Sequence, residues 1–258
     1  MICRADLHVH TDASMDGLSS LARQAAAARA AGLDAMAVTD HNRCAALPDR
    51  LEGVLLIPGC EVSTQAGHIL GLFLEGPLDL EILRAGGLPT GEAAVEEIHR
   101  RGGLAVLAHP YASPSAAPEK LSLALDGVEA ANARAAFKAP DANRQAAALA
   151  KGWGLAATGG SDGHSRHEVG NAYTELTCGE LTCGELTLPE LKEALKRGDC
   201  RPVLKRNTPC FRKGLSQLGK ARRQKSARAL VRGLAYLAYC CGKDLLRLPQ
   251  ARFRERSE

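Results

Sequence analysis

Seven short apolar runs punctuate the first two thirds of the chain, and most of them end on a histidine or a carboxylate. They read as strands at Ile2–His10, Ala35–Thr39, Val54–Pro58, His68–Leu74, Leu104–Ala108, Gly127–Ala130 and Leu155–Thr158. Between most of them lie Ala/Leu/Glu/Arg-rich stretches with helical periodicity, at Ser19–Ala31, Glu92–Arg101 and Asp141–Lys151. A further helix follows at Pro189–Arg197, with Thr187 as its N-cap and Gly198 as its stop. Such alternation predicts an α/β fold built on a parallel sheet, open or closed into a barrel. Seven strands in about 200 residues favour a barrel smaller than the eight-stranded type. An open doubly wound sheet is the alternative. No glycine fingerprint follows the first strand, so nothing supports a dinucleotide site.

The strand ends carry the chemistry. His8 and His10 close the first strand at i and i+2 and so share a face, just after Asp6. Asp40 and His41 follow the second strand, Glu61 the third, and His68 opens the fourth. His109 ends the fifth, and Asp162 and His164 follow the seventh. In a parallel barrel the strand C-termini share one rim, where active sites form. Six of the eight histidines fall at these ends; His99 sits in a helix and His167 in a polar loop. A single histidine at a strand end is ordinarily a satisfied structural side chain. Six of them with several carboxylates on one rim would repel and protonate one another without cations. Imidazole and carboxylate mixtures suit zinc, manganese or iron. A glutamate between two histidine groups is what a bridging ligand requires.

The segments "DLHVHT", "TDH", "GCEVS", "GH", "AHP" and "GSDGH", in this order, resemble the PHP (polymerase and histidinol phosphatase) domain. The resemblance covers about residues 1–205. It implies a distorted seven-stranded (β/α)7 barrel with a centre of two or three divalent metal ions that hydrolyses phosphoesters. On this resemblance His8, His10, Glu61 and Asp162 hold one metal, and Glu61 bridges to a second held by His68 and His109. Asp16, His41 and His164 hold the third, and Asp6 and Asp40 orient imidazoles from behind. Many relatives read "SDG" after the second histidine where this chain reads "SMDG". The inserted Met15 leaves Asp12 as a competitor of Asp16.

Phosphoester hydrolysis needs a nucleophile at neutral pH, neutralised phosphoryl oxygens and a stabilised leaving group, all of which clustered metals supply. Glu61, Asp162, His41 and His164 are the catalytic candidates, with His41 or His164 a proton donor if it holds no metal. After the sixth strand, Asn132, Arg134 and Lys138 offer phosphate contacts. Arg134 suits a bidentate one, and a solvated helix residue is the other reading. The resemblance spans nucleotide phosphatases, exonucleases acting on DNA or RNA 5′ ends, and histidinol-phosphate phosphatases. A non-catalytic nucleic-acid-binding module is the rival class.

Charge divides the chain. Residues 1–200 hold 17 Lys/Arg against 26 Asp/Glu, and residues 201–258 hold 16 against 3. We expect a barrel over residues 1–204 and a basic helical C-terminal extension over 205–258. In that extension Leu215, Leu218, Leu230, Leu234, Leu237, Leu245 and Leu248 recur at broadly helical spacing. A basic amphipathic helix of this kind binds nucleic acid, an anionic membrane surface or its own acidic body. The repeat "ELTCGELTCGEL" (175–186) reads as a duplicated loop, with Cys178 and Cys183 a weak metal pair. No apolar run is long enough to span a membrane, and nothing resembles a signal peptide. The nine cysteines include no CxxC and read as reduced thiols of a cytoplasmic protein.

Overall fold

The computed structural model describes residues 1–112, 118, 124–137, 139–179 and 185–254, with side chains to 246. The elements run β1 (Ile2–Val9), α1 (Leu21–Ala30), β2 (Ala35–Val38), β3 (Arg50–Leu51), β4 (Val54–Thr64), β5 (Gly67–Leu72), α2 (Leu80–Leu83) and α3 (Gly91–Arg100). They continue with β6 (Leu104–Leu107), β7 (Gly127–Asn132), α4 (Ala142–Trp153), β8 (Ala156–Gly160), β9 (Ala172–Thr177), α5 (Leu188–Lys196), β10 (Cys200–Leu204), α6 (Cys210–Arg223) and α7 (Ala227–Arg254). One sheet contains every strand, in the order β10-β9-β1-β2-β4-β5-β6-β7-β8, with β3 paired to β4 off this path.

All seven expected strands form, but the sheet is mixed and larger than a seven-stranded parallel barrel. Parallel pairing joins β1 to β2, β2 to β4, β6 to β7 and β7 to β8. β5 runs antiparallel to both β4 and β6, and β9 runs antiparallel to β1 and β10. β4 is twice its expected length because, besides the short β3, it pairs with β2 along its first half and β5 along its second. Leu55–Pro58 continue the parallel register of β2, and Gly59–Thr64 form a hairpin with β5. The first "ELT" of the tandem repeat is the end of β9, not loop, and Cys178 beyond it is buried. Cys183 lies outside the described residues.

Two-residue alternation sorts the strands into an inside and an outside. Ala5, Leu7, Ala37, Ile57, Leu72 and Val106 meet in an inner cluster, which Leu191, Ala194 and Leu195 of α5 complete. Met36, Val38 and Leu56 pack outward on Ala25 and Ala28 of α1. Ile69, Leu107 and Val128 pack outward on α3 and α4. The α5 cap is as the sequence predicts: Thr187 and Glu190 form a reciprocal capping box, and Gly198 ends the turn at φ +72°.

The sheet nearly closes, β8 returning to β1 and β9 through side chains and isolated bridges. Thr174 Oγ1 accepts from Gly159 N–H at 2.8 Å and donates to Gly159 O at 2.9 Å. Val9 bridges Gly163, and His10 N–H donates to Gly163 O at 2.9 Å. Closure requires glycine at position 160, where a Cβ would lie 2.4 Å from the His8 Cβ.

The basic extension forms two helices rather than one. Asp244 of α7 accepts from the N–H groups of Cys210 and Phe211, capping the start of α6. α6 lies on the body. The Arg223 guanidinium donates to the carbonyls of Ser14 and Gly17, and Arg134 Nη2 donates to Ser216 Oγ at 2.9 Å. The leucines do not form one buried seam: Leu218 is 7% exposed, but Leu234 is 50% and Leu245 67% exposed. Leu248 lies outside the described side chains. Among the described residues no helix is long and apolar enough to cross a membrane.

Candidate metal centre

The register of β1 against β2 slips between Asp6 and Val9, where three steps along β1 match two along β2. Leu7 belongs to the inner cluster, whereas Val9 packs outward under α1. The extra residue therefore turns both His8 and His10 toward the mouth of the barrel, the usual effect of a bulge beside a site. Glu61 comes from the interior of β4 rather than from a loop after it. His68 is the second residue of β5, and because β5 runs antiparallel its start lies on the rim where the parallel strands end. His109 and Asp162 follow β6 and β8 with left-handed φ of +28° and +53°. Such backbone in residues other than glycine concentrates at functional sites.

These side chains converge on Glu61, which is fully buried. Its Oε1 lies 2.6 Å from His68 Nδ1 and 3.0 Å from His109 Nε2. Its Oε2 lies 2.8 Å from His41 Nδ1, 3.2 Å from His10 Nε2 and 3.4 Å from His8 Nε2. Although ringed by nitrogens, Oε2 has no hydrogen bond. The Nε2 atoms of His8 and His10 are 3.1 Å apart and face Asp162 Oδ1 at 3.8 and 3.5 Å. Asp16 Oδ2 is 3.5 Å from His164 Nε2 and 3.8 Å from His41 Nε2, and its buried Oδ1 has no partner.

Donor atoms gather into overlapping sets of three: His8/His10/Asp162, His8/Glu61/His109, His41/Glu61/His68 and His10/His41/His164. Converging imidazole nitrogens around carboxylate oxygens that lack donors fit divalent cations. The protonation balance points the same way. Burial pushes Glu61 up, but His41, His68 and His8 outweigh it and hold the carboxyl well below its usual range. Asp162 is likewise held low, chiefly by His8 against its own burial. Burial lowers His41, yet Glu61 lifts it to about 9. His164 falls to about 4 through burial and the nearby Arg134. The cluster demands positive charge, which protons or metal ions supply.

The first loop separates Asp16 from Asp12. Asp16 reaches the cluster and Asp12 is exposed, while the inserted Met15 is 49% exposed and bulges into solvent. Asp40 acts at one remove. It accepts from Thr11 N–H and Oγ1 at 2.7 Å each and from Ser14 Oγ at 2.8 Å, and Ser14 Oγ lies 3.3 Å from His10 Nδ1. Asp6 touches no imidazole ring, contrary to expectation. It accepts from the backbone N–H groups of Ser161 (2.8 Å) and Gly170 (2.9 Å), pinning the loop that carries Asp162 and His164.

The carboxylate behind His8 is Glu129, which the sequence reading overlooks. Its Oε1 is 2.9 Å from His8 Nδ1, and its Oε2 accepts from His109 N–H at 2.8 Å. Its signal was a lone carboxylate in the otherwise apolar run "GVEAAN". Asn132 supports it, donating to Glu129 Oε2 at 3.0 Å. Arg134 lines the cavity, but it is buried and its Nε and Nη2 meet Glu168 Oε2 at 2.7 and 2.6 Å. That fork is engaged by Glu168 and Ser216, not free for a bidentate phosphate. Lys138 lies outside the described residues.

The sequence matches the PHP domain model over residues 6–107 and a PHP-associated model over 140–200. Uncharacterized protein MJ1587 of Methanocaldococcus jannaschii is 36% identical over 148 residues, 50% of this chain and 82% of that protein. A two-domain protein of Bacteroides vulgatus containing a predicted PHP-like metal-dependent phosphoesterase superposes with a TM-score of 0.57 at 20% identity. That match covers 79% of this chain and 65% of the other. The lesion-specific endonuclease PfuEndoQ of Pyrococcus furiosus superposes at 0.50 with 17% identity, covering 78% and 58%. This chain thus spans less than two thirds of either solved protein, and at these identities the likeness concerns the fold.

Proposed function

The chain belongs to the PHP domain family, and on that footing we propose that it hydrolyses phosphoesters at the rim centre with two or three divalent ions of manganese, zinc or iron. One observation carries the reading: Glu61, buried between two groups of imidazoles with an oxygen that has no hydrogen bond. In this reading His8, His10, Glu61 and Asp162 would hold one metal, Glu61, His68 and His109 a second, and Asp16, His41 and His164 a third. When bound, the metals supply Lewis acidity and a nucleophilic water at neutral pH.

The chain's own residues do the rest. Glu129 fixes the His8 tautomer by accepting a hydrogen bond from its Nδ1–H, so that Nε2 presents its lone pair inward. In the metal-free protein His41, lifted to about 9 by the Glu61 carboxylate, is charged at neutral pH, and where it is not a ligand it is positioned to donate a proton to a leaving oxygen. His164, lowered to about 4, is neutral and suits ligation. The substrates we propose are nucleotides or the 5′ ends of short DNA or RNA, in keeping with an endonuclease among the fold neighbours. The test is metal content of the purified protein, with a manganese-supplemented hydrolysis screen over phosphosugars, histidinol phosphate, nucleotides and 5′-phosphorylated oligonucleotides. Bound metal with turnover supports the proposal. A metal-free protein inert with manganese, zinc and iron refutes it and leaves the binding-module class.

A further inference from the structure

The cavity at the centre is small, about 140 Å³. Pockets that enclose a whole small ligand measure roughly 300–1,000 Å³. The cavity fits the reacting phosphoryl group, and the rest of a substrate must lie outside it. Its outer wall is α6, through Lys213 and Gln217.

The same two residues begin a second concavity of about 580 Å³ between α6 and α7. On α6 it is lined by Lys213, Gln217, Lys220 and Gln224, spaced i, i+4, i+7 and i+11, which is one stripe of a helix. Arg232 and Tyr236, at i and i+4, face it from α7. No carboxylate is among the described lining residues. This stripe is distinct from the face of α6 that carries Ser216 and Arg223 onto the body. A groove with three cations, two amides and an aromatic side chain runs on from a site that accepts a phosphoryl group. Grooves that track single-stranded nucleic acid combine cations for the backbone with aromatic surface for bases.

We propose that the α6–α7 groove binds single-stranded nucleic acid whose end lies at the rim centre, with Lys213, Lys220 and Arg232 meeting backbone phosphates and Tyr236 a base. The proposal rests on the phosphoesterase reading only for what happens at that end; binding in the groove stands separately. The polymer is favoured over an anionic membrane because Lys213, Lys220 and Arg232 line a concavity that runs on from the rim centre, whereas the exposed Val231, Leu234, Leu245 and Leu246 of α7 lie outside that lining.

The test compares the full-length protein with the variant Lys220→Glu/Arg232→Glu, both outside the metal centre, with Lys220→Gln/Arg232→Gln as a milder pair should the first fail to fold. Binding of a fluorescent 5′-phosphorylated strand of about ten nucleotides is read by anisotropy at several salt concentrations. Turnover of a chromogenic phosphodiester is read in parallel. Expected are about tenfold weaker strand binding, a log–log salt slope shallower by about 1.4 for two lost phosphate contacts, and unchanged turnover of the small ester. Equal strand binding by wild type and variant overturns the proposal. So does a wild type that ignores the strand and sediments with phosphatidylcholine/phosphatidylglycerol vesicles. If the variant loses strand binding while no protein hydrolyses any ester, the groove stands and the phosphoesterase reading falls.

Discussion

Glu61 is the residue on which the centre turns. Glu61→Gln keeps the shape but removes the charge that both imidazole groups face. Loss of at least one metal equivalent and of turnover is expected, with an unchanged circular dichroism spectrum, because the inner cluster does not include this side chain. Full activity in the glutamine variant would exclude a bridging role. Asp16 and Asp12 should part company in the same assay. Asp16→Asn lowers metal occupancy and rate, and Asp12→Asn, at an exposed position, leaves both near wild type. Metal affinity should also depend on pH. The folded His41 holds its proton up to about 9, and a ligand imidazole must be neutral. Below that pH binding has to expel the proton, and His8 and His109, also raised against their burial by the carboxylates around them, give up theirs too, so affinity rises by at least about tenfold per pH unit as pH climbs toward about 9. Metal titrations across this range check it, and a flat profile would show that none of these raised imidazoles ligates. At this scale nearly all the converging groups were legible, because histidine is rare inside a strand end without a partner. Glu129 was missed for a physical reason. A carboxylate in mid-strand says nothing about which face it occupies until the register is known.

The elements were legible where hydrophobic periodicity was strong and obscure where pairing decided. The run Val54–Pro58 is apolar and easily read. The continuation "GCEVST" is mixed, and only the hairpin with β5 makes it strand. β10, with Pro202 in its middle, and β9, with its alternating polar residues, form an antiparallel edge that a search for parallel strands passes over. Two element-level tests follow. Gly160→Ala places a methyl 2.4 Å from the His8 Cβ and 2.9 Å from Glu129 Oε1, so β8 must retreat. A stability loss of about 1–3 kcal/mol in urea unfolding is expected, together with reduced metal binding. Unaltered values would mean that β8 has slack. Glu168→Gln leaves the Arg134 guanidinium buried without its counter-charge and should cost about 3–5 kcal/mol, since both partners are shielded from water. A cost under about 1 kcal/mol would show that Ser216 and solvent suffice.

At the scale of the whole molecule, the division into an acidic body and a basic extension is visible in composition, but the way the two meet is not. Sequence spacing left nucleic acid, an anionic membrane surface and the acidic body as partners of a basic helix; the chain makes a hairpin whose inner helix walls the site and whose outer helix leaves Leu234 and Leu245 exposed. A protein ending near Arg206 should therefore melt earlier and lose activity on small and polymeric substrates alike, because Arg134 loses Ser216 and the first loop loses Arg223. Calorimetry and turnover on a mononucleotide check this; a truncated protein with native melting and full mononucleotide turnover would show that the wall is dispensable.

The grip of Arg223 on Ser14 and Gly17 joins residues more than 200 positions apart. During synthesis, every candidate ligand from His8 to His164 leaves the ribosome before α6 does. A barrel that folds before α6 emerges would hold its donors together without their outer wall. Metal ions would meet the centre at that stage as an open bowl, which the docking of α6 would turn into a narrow cup.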